Sequence, residues 1–338
     1  MKLRYTLVLA LCLYSAVSCS SSEKYKITDH YDGNTFRNEV PITPRGFFDL
    51  LKWKLSFKTE SWPQKLETDF PKAIPVDRST DKMIITFVTH ASFLIQLDGL
   101  NILTDPVWSN RTSPFSFIGP KGVHDPGIDF EQLPKIDVVL ISHNHYDHMD
   151  AKTIQDLDEK FSPLFLVPLA NKEKMKSFGA RNVEEFDWWE TKDVGPDVKV
   201  TLAPAQHWSS RTPFDRMKSL WGSYYIQGKK EKIYFAGDTG YGPHFLEINK
   251  KLGAPDVSLL PIGAYEPRWF MKDMHMNPED AVLAHLDLQS KFSIGMHFGS
   301  FQLTDEAIDT PKKDLEMALD KHKLNNFKTL NPGQKLEF

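Results

Sequence analysis

The sequence predicts an α/β fold from Met83 onward, on three observations. Apolar runs of strand length recur, segments with helix start and stop signals separate them, and a residue able to ligate metal stands at the C-terminal end of most runs. In order, "MIITFVTHASFLIQLDGLNILTD" supplies two strands flanking an Asp98-Gly99 hairpin turn. "KIDVVLIS", "SPLFLVP", "VKVTLAPAQ", "KIYFAGD", "DVSLLPIG" and "FSIGMHFG" then supply one strand each. Between them, His244 to Leu252 reads as a helix stopped by Gly253. Asn277 reads as the N-cap of another, with Pro278 in its first turn followed by Glu279 and Asp280. No repeat of solenoid period interrupts this region, so residues 35–338 are expected to form one domain, with 35–80 wrapped on its surface.

The N-terminus carries a different signal. Lys2 and Arg4 precede an apolar run from Tyr5 to Tyr14, and the small residues of "SAVSC" end at Cys19. The run is too short to span a bilayer, so residues 1–18 read as a secretory signal peptide and Cys19 as the lipid-carrying residue of a bacterial lipoprotein. Cys12 would leave with the signal peptide, so no disulfide is expected. Residues 19–34 are polar and aperiodic and read as a tether. The location implied is the periplasmic or outer face of a bacterial membrane. Within residues 41–62, "RGFFDLLKWKLSF" has helical spacing. Its apolar positions admit two roles, packing on the main body or dipping into a bilayer surface.

The net charge is −4 with histidine neutral, and removing the signal peptide takes away Lys2 and Arg4 but no acid. A mildly acidic chain is a poor general ligand for nucleic acid, and none is expected as a partner.

The strand-end residues carry the chemistry. "VVLIS" runs into His143, His145, Asp147, His148 and Asp150, "VTLAPAQ" into His207, "IYFAG" into Asp238 and "FSIGM" into His297. Ligands of α/β sheets collect beyond the carboxyl ends of strands, so these residues are expected to converge. Histidine nitrogen and aspartate oxygen in this number suit two adjacent zinc ions, and iron or manganese would also accept them.

The H-x-H-x-D-H pattern of residues 143–148 resembles the metallo-β-lactamase superfamily of binuclear metallohydrolases. That resemblance implies an αββα sandwich, with two sheets face to face and helices outside. It implies His143, His145 and His207 on one metal, Asp147, His148 and His297 on a second, and Asp238 bridging them. Asp150 is expected to orient a ligand histidine. The blocks "THASFLIQLDGLNILTDPVWSNRTSP", "FDWWE", "QHWSSRT", "LWGSYYI", "FAGDTGY" and "PIGAYEPRWFM" are similar to the branch of N-acyl-phosphatidylethanolamine-hydrolysing phospholipases D. The similarity runs in order over about residues 35–335.

The resemblance implies hydrolysis of a membrane phospholipid to N-acylethanolamine and phosphatidate by a metal-bridging hydroxide, in a homodimer. Catalytic roles are expected for Asp147 and for His275, the latter as proton donor or phosphate contact, with Arg268 a further candidate beside the leaving oxygen. His90 and Trp208 are expected to shape the pocket wall, His90 also supporting a ligand. Tyr265, Trp269 and Phe270 would line an acyl groove or else simply fill core. The alternative reading is a hydrolase of the same fold acting on a lactone or a soluble phosphodiester.

Overall fold

Successive side chains of a strand face opposite ways, and here each way leads to an apolar layer. The protein, a computed structural model, is described over residues 25–56, 58–66 and 70–338. The signal peptide, Cys19 and the start of the tether lie outside the described residues. Strands β1 (Ile84–Thr89), β2 (Ser92–Leu97), β3 (Leu100–Thr104), β4 (Val138–Leu140), β5 (Leu164–Pro168) and β6 (Val183–Phe186) make one sheet. Strands β7 (Thr191–Asp193), β8 (Lys199–Ala203), β9 (Ser223–Gln227), β10 (Lys232–Phe235), β11 (Val257–Pro261), β12 (Phe292–Met296) and β13 (Phe327–Thr329) make the other, and β14 (Lys335–Glu337) returns to pair with β1. Helices α1 (Phe47–Lys54), α2 (Ala151–Phe161), α3 (Lys172–Ser177), α4 (His244–Leu252), α5 (Arg268–Met271), α6 (Pro278–Leu288) and α7 (Thr310–His322) complete the chain.

The sheets are alike. The order β14-β1-β2-β3 is antiparallel and continues in parallel through β4, β5 and β6. The order β7-β8-β9-β10 is antiparallel and continues in parallel through β11, β12 and β13. Ile85, Phe87, Phe93 and Ile95 of the first sheet share a buried core with Leu202, Tyr224, Ile226 and Phe235 of the second. Val88, Leu94 and Val139 face outward, where Ile154 and Leu157 of α2 and Met175 of α3 cover them. Phe245 and Ile248 of α4 and Val282 of α6 cover the second sheet. This is the αββα sandwich. Burial of apolar surface on three layers, at about 25 cal/mol per Å², is its main source of stability.

Three expectations are corrected here. The apolar run before Gly99 is two strands, not one, because the chain reverses at His90-Ala91 without a glycine. His90 itself takes the left-handed conformation, φ 50°, and its backbone N–H donates to Ser300 Oγ at 3.0 Å. Second, the described part of the tether is docked. Tyr25 donates to Glu185 at 2.7 Å, and the buried His30 stacks on Trp188 with Nε2 2.7 Å from Asp187. Third, strands β6, β7, β9, β13 and β14 were not foreseen. Four of them are the sheet edges, with sequences such as "VEEF" and "TKD" that pair through backbone and carry no apolar signature.

Among the described residues of 35–80, Phe36 lies in the core and Arg78 pairs with Asp137. Of α1, Trp53 is buried and its Nε1 donates to Asp305 Oδ2 at 2.7 Å. Among the described residues no helix is long and apolar enough to cross a membrane.

Candidate metal centre

The loops leaving β4, β8, β10 and β12 meet at one end of the sandwich and bring together seven of the eight strand-end residues, all but Asp150. Two close approaches make this possible. A Cβ on Gly237, φ 59°, would stand 2.6 Å from Ser142 Cβ, beside His143, and a Cβ on Gly263 would stand 2.2 Å from the His297 carbonyl oxygen.

The donors form two groups. In the first, His145 Nδ1 lies 2.8 Å from His143 Nε2 and 3.2 Å from His207 Nε2, with Asp238 Oδ2 3.9 and 3.8 Å from those two Nε2 atoms. In the second, Asp147 Oδ2 lies 3.4 Å from His148 Nε2 and 3.3 Å from His297 Nε2. Asp238 belongs to both, since its Oδ2 is 3.2 Å from His148 Nε2 and its Oδ1 3.1 Å from His297 Nε2. His90 joins the second group, its Nε2 3.0 Å from Asp147 Oδ2.

These residues fit metal. His148 Nε2, His297 Nε2 and Asp238 Oδ1 are buried within contact distance of one another, yet none makes a hydrogen bond. Buried donor atoms this close together and without hydrogen-bond partners are the arrangement a cation would satisfy.

Each group has its own supports. Ser142 Oγ stands 2.9 Å from His143 Nδ1, and the Met274 carbonyl accepts from His207 Nδ1 at 3.0 Å. Asn38 brackets the His207 backbone, donating to its carbonyl at 2.8 Å and accepting from its N–H at 3.0 Å. In the second group, Asp105 Oδ2 accepts from His148 Nδ1 and from Ser142 Oγ, each at 2.6 Å, while Asp105 Oδ1 accepts from Ser142 N at 2.7 Å. Asp105 thus orients a ligand histidine, the role expected of Asp150. Asp150 instead caps α2, accepting from Lys152 N, Thr153 Oγ1 and Ser109. Asp105 follows the strand-end rule that found the other donors, at the end of "NILTD", so the signal was present in the sequence.

Burial and charge divide the histidines. Burial, reinforced by neighbouring imidazoles, holds His143 well below its ordinary pKa, and burial does the same to His207 and lowers His145 to about 4. These rings present neutral nitrogens. Burial also opposes charge on His148 and His297, but Asp238 and Asp147 outweigh it, raising His148 well above its ordinary value and His297 to about 9. The same histidines overcome burial to keep Asp147 and Asp238 ionised. The second group therefore favours positive charge between its carboxylates.

A cavity of about 730 Å³ opens on these donors, with His145, Asp147, Asp238 and His275 on its floor. His275 Nδ1 is buried without a partner, 4.0 Å from Asp238 Oδ2, and burial lowers its pKa to about 4. Trp208 forms part of the wall, with Arg216 over its ring at 4.0 Å. Phe270 also lines the cavity, but Trp269 and Tyr265 do not. Tyr265 donates to Asp314 of α7 at 2.5 Å, and Trp269 stacks under Lys52. Arg268 is likewise not free for substrate. It donates to the His275 carbonyl at 2.8 Å and to Asp280 at 2.6 Å, locking the His275 loop to the cap of α6.

An αββα sandwich with such a donor cluster at its strand ends defines a metal-dependent hydrolase. Residues 100–298 match the beta-lactamase superfamily domain, and the chain belongs to that superfamily. It is 37% identical over 272 residues, 76% of each protein, to N-acyl-phosphatidylethanolamine-hydrolyzing phospholipase D 1 of Caenorhabditis elegans. It is 38% identical over 226 residues to the mitochondrial N-acyl-phosphatidylethanolamine-hydrolyzing phospholipase D of Saccharomyces cerevisiae, covering 65% of this chain and 48% of that one. Igni18, a metallo hydrolase of Ignicoccus hospitalis, shares the fold at a TM-score of 0.57 and 24% identity, over 76% of this chain and 98% of its own.

Proposed function

We propose that the protein is a zinc-dependent phosphodiesterase of phospholipase D type, hydrolysing N-acyl-phosphatidylethanolamine or a similar phospholipid. One observation carries the reading: the cavity is polar at the donors and apolar beyond them, where Phe47, Leu50, Trp53, Phe270, Met271 and Met274 make its wall. An amphiphile matches that division, with its phosphate on the floor and acyl chains along the wall. Similarity to the nematode and yeast phospholipases supports the same substrate class.

A metal pair held by the two donor groups would supply Lewis acidity and an ionised water at neutral pH. The chain's own residues do the rest. Arg45 and Arg216 stand in the cavity wall and bring positive charge to an entering phosphate. Trp208 and Met274 exclude water above the floor. His275 is neutral at physiological pH and its Nδ1 has no partner in the protein, so in the Nδ1–H tautomer it is a hydrogen-bond donor to the oxygen that leaves phosphorus; the proton that oxygen takes up comes from the attacking water, as N-acylethanolamine departs and phosphatidate remains. A lipid on Cys19 would hold the enzyme on the exported face of a membrane. Globomycin-sensitive processing tests this, and export without lipid contradicts it.

The test of the function is hydrolysis of N-palmitoyl phosphatidylethanolamine in detergent by the chain from Ser20 onward, which retains every described element. Release of N-palmitoylethanolamine by the parent and not by Asp147→Asn is expected. Stoichiometric metal without lipid cleavage would leave the hydrolase class standing and remove the phospholipid, in favour of lactones or soluble phosphodiesters.

A further inference from the structure

The mouth of the metal cavity is surrounded by side chains that a protein in water rarely exposes. Three segments distant in sequence build it: residues 45–58 through Arg45, Phe47 and Leu50, residues 111–121 through Thr112, and residues 211–218 through Pro213 and Arg216. Beyond the wall these same segments carry exposed phenylalanines. Phe48 is 81% exposed, Phe117 78% and Phe214 84%, and Phe47 and Phe115 are also exposed. Among the described residues only one further phenylalanine, Phe338, is exposed. Exposed aromatic residues scattered singly need no explanation, but five carried on three segments that all line one cavity do.

Charge follows the same pattern. The three segments hold nine lysines and arginines against two acids, in a chain whose net charge is −4. One of those acids, Asp215, is occupied by the N–H groups of Arg211 and Thr212 and by Ser210 Oγ. A helix anchored by one buried tryptophan, with phenylalanines outward and lysines beside them, is built for an anionic apolar interface. A partner protein would find an apolar patch split among three segments whose flanking charges are nearly all of one sign. An anionic bilayer offers the opposite sign uniformly and accepts each phenylalanine separately.

We propose that α1 and the two loops 111–121 and 211–218 form a membrane-docking face, which seats on an anionic phospholipid surface with the cavity mouth against the bilayer. The inference deepens the phospholipase reading, since a lipid could then pass from bilayer to donors without crossing water. It is independent of any lipid on Cys19.

The test is co-sedimentation of the chain from Ser20 with phosphatidylcholine vesicles, with and without phosphatidylglycerol, beside the variant Phe48→Ser/Phe117→Ser/Phe214→Ser. None of these three side chains lines the cavity, and all are exposed, so the melting temperature should not change. The parent should bind phosphatidylglycerol vesicles, more weakly in high salt, and the variant should bind roughly thirtyfold or more weakly. Should that variant not fold, Lys121→Glu/Lys218→Glu must weaken binding to the anionic vesicles alone. Absence of parent binding, or equal binding by parent and variants, overturns the proposal. So does a parent dimer that the phenylalanine variant converts to monomer in sedimentation velocity without losing vesicle affinity, which would assign the face to a second copy. Binding is read without turnover, so vesicle binding with no lipid hydrolysis would refute the phospholipase reading and leave the face standing.

Discussion

The two donor groups that share Asp238 are built from different materials. The first is three imidazoles, neutral at physiological pH and supported by a serine hydroxyl, a backbone carbonyl and the Asn38 bracket. The second sets Asp147 among His90, His148 and His297 and is supported by the buried carboxylate of Asp105. One group holds lone pairs in place by hydrogen bonds, and the other collects positive charge between ionised oxygens. Adjacent sites in one cavity therefore need not respond alike to pH, to mutation or to metal.

Asp238→Asn breaks the comparison where its halves join. It removes the carboxylate whose oxygens lie within 4 Å of histidine nitrogens of both groups, and loss of activity on the order of 10³-fold with metal loss at both groups is expected. Retention of full metal content would show that neither group depends on the shared oxygen pair.

Asp105→Asn sharpens the comparison. It leaves the His148 ring without its carboxylate partner, so affinity at the second group should fall by roughly 10- to 100-fold while the first is unchanged. Stepwise competition with a chelating dye reads the two affinities separately. An equal fall at both would mean that Asp105 acts through Ser142, which touches His143 as well.

The pH dependence separates the groups without mutation. His297 is raised from 6.5 to about 9, so in the metal-free chain its protonated form contributes stability that is fully present below pH 6.5 and lost as pH rises through about 9. The melting temperature of the metal-free chain should fall across that window. Metal must displace that proton, so affinity at the second group should rise over the same range. The first group, whose histidines are held below 6.5, should change little. A flat apo stability from pH 6.5 to 9 would contradict the assignment of charge to the second group.

Smaller effects concern the supports. Asn38→Ala leaves the buried His207 backbone N–H and carbonyl without partners and should cost about 1–3 kcal/mol of stability, with weaker metal binding confined to the first group. Asp150→Ala removes the cap of α2 and the acceptor of Ser109 and Thr153, but no member of either donor group. It should cost about 1 kcal/mol in thermal unfolding and leave metal content at both groups intact.

Much of this was legible in the sequence because strand ends are where α/β sheets present ligands. "VVLIS" running into His143 and "IYFAG" into Asp238 mark a centre by position in the sequence alone. The helix from His244 to Leu252 ends at Gly253 as its spacing required, φ 88°. What stayed hidden depends on contacts between distant segments. Arg268 and His275 are neighbours in one loop, yet only the packed α6 shows that the arginine is spent on Asp280 and on the His275 backbone. Asp150 follows His148 in sequence as closely as a ligand would, and its engagement with Thr153 and Ser109 is a matter of tertiary fold. Asn38 lies in a segment read only as a wrapping arm, 169 positions from the histidine it holds. The edge strands were invisible because backbone pairing asks nothing of their side chains.

The most direct measurement is anomalous diffraction at the zinc edge from crystals grown with zinc. Two peaks are expected, one among His143, His145 and His207 and one among Asp147, His148 and His297, with the Asp238 carboxylate between them. A single peak, or a pair that does not touch Asp238, would contradict a shared centre and with it the division between the two groups.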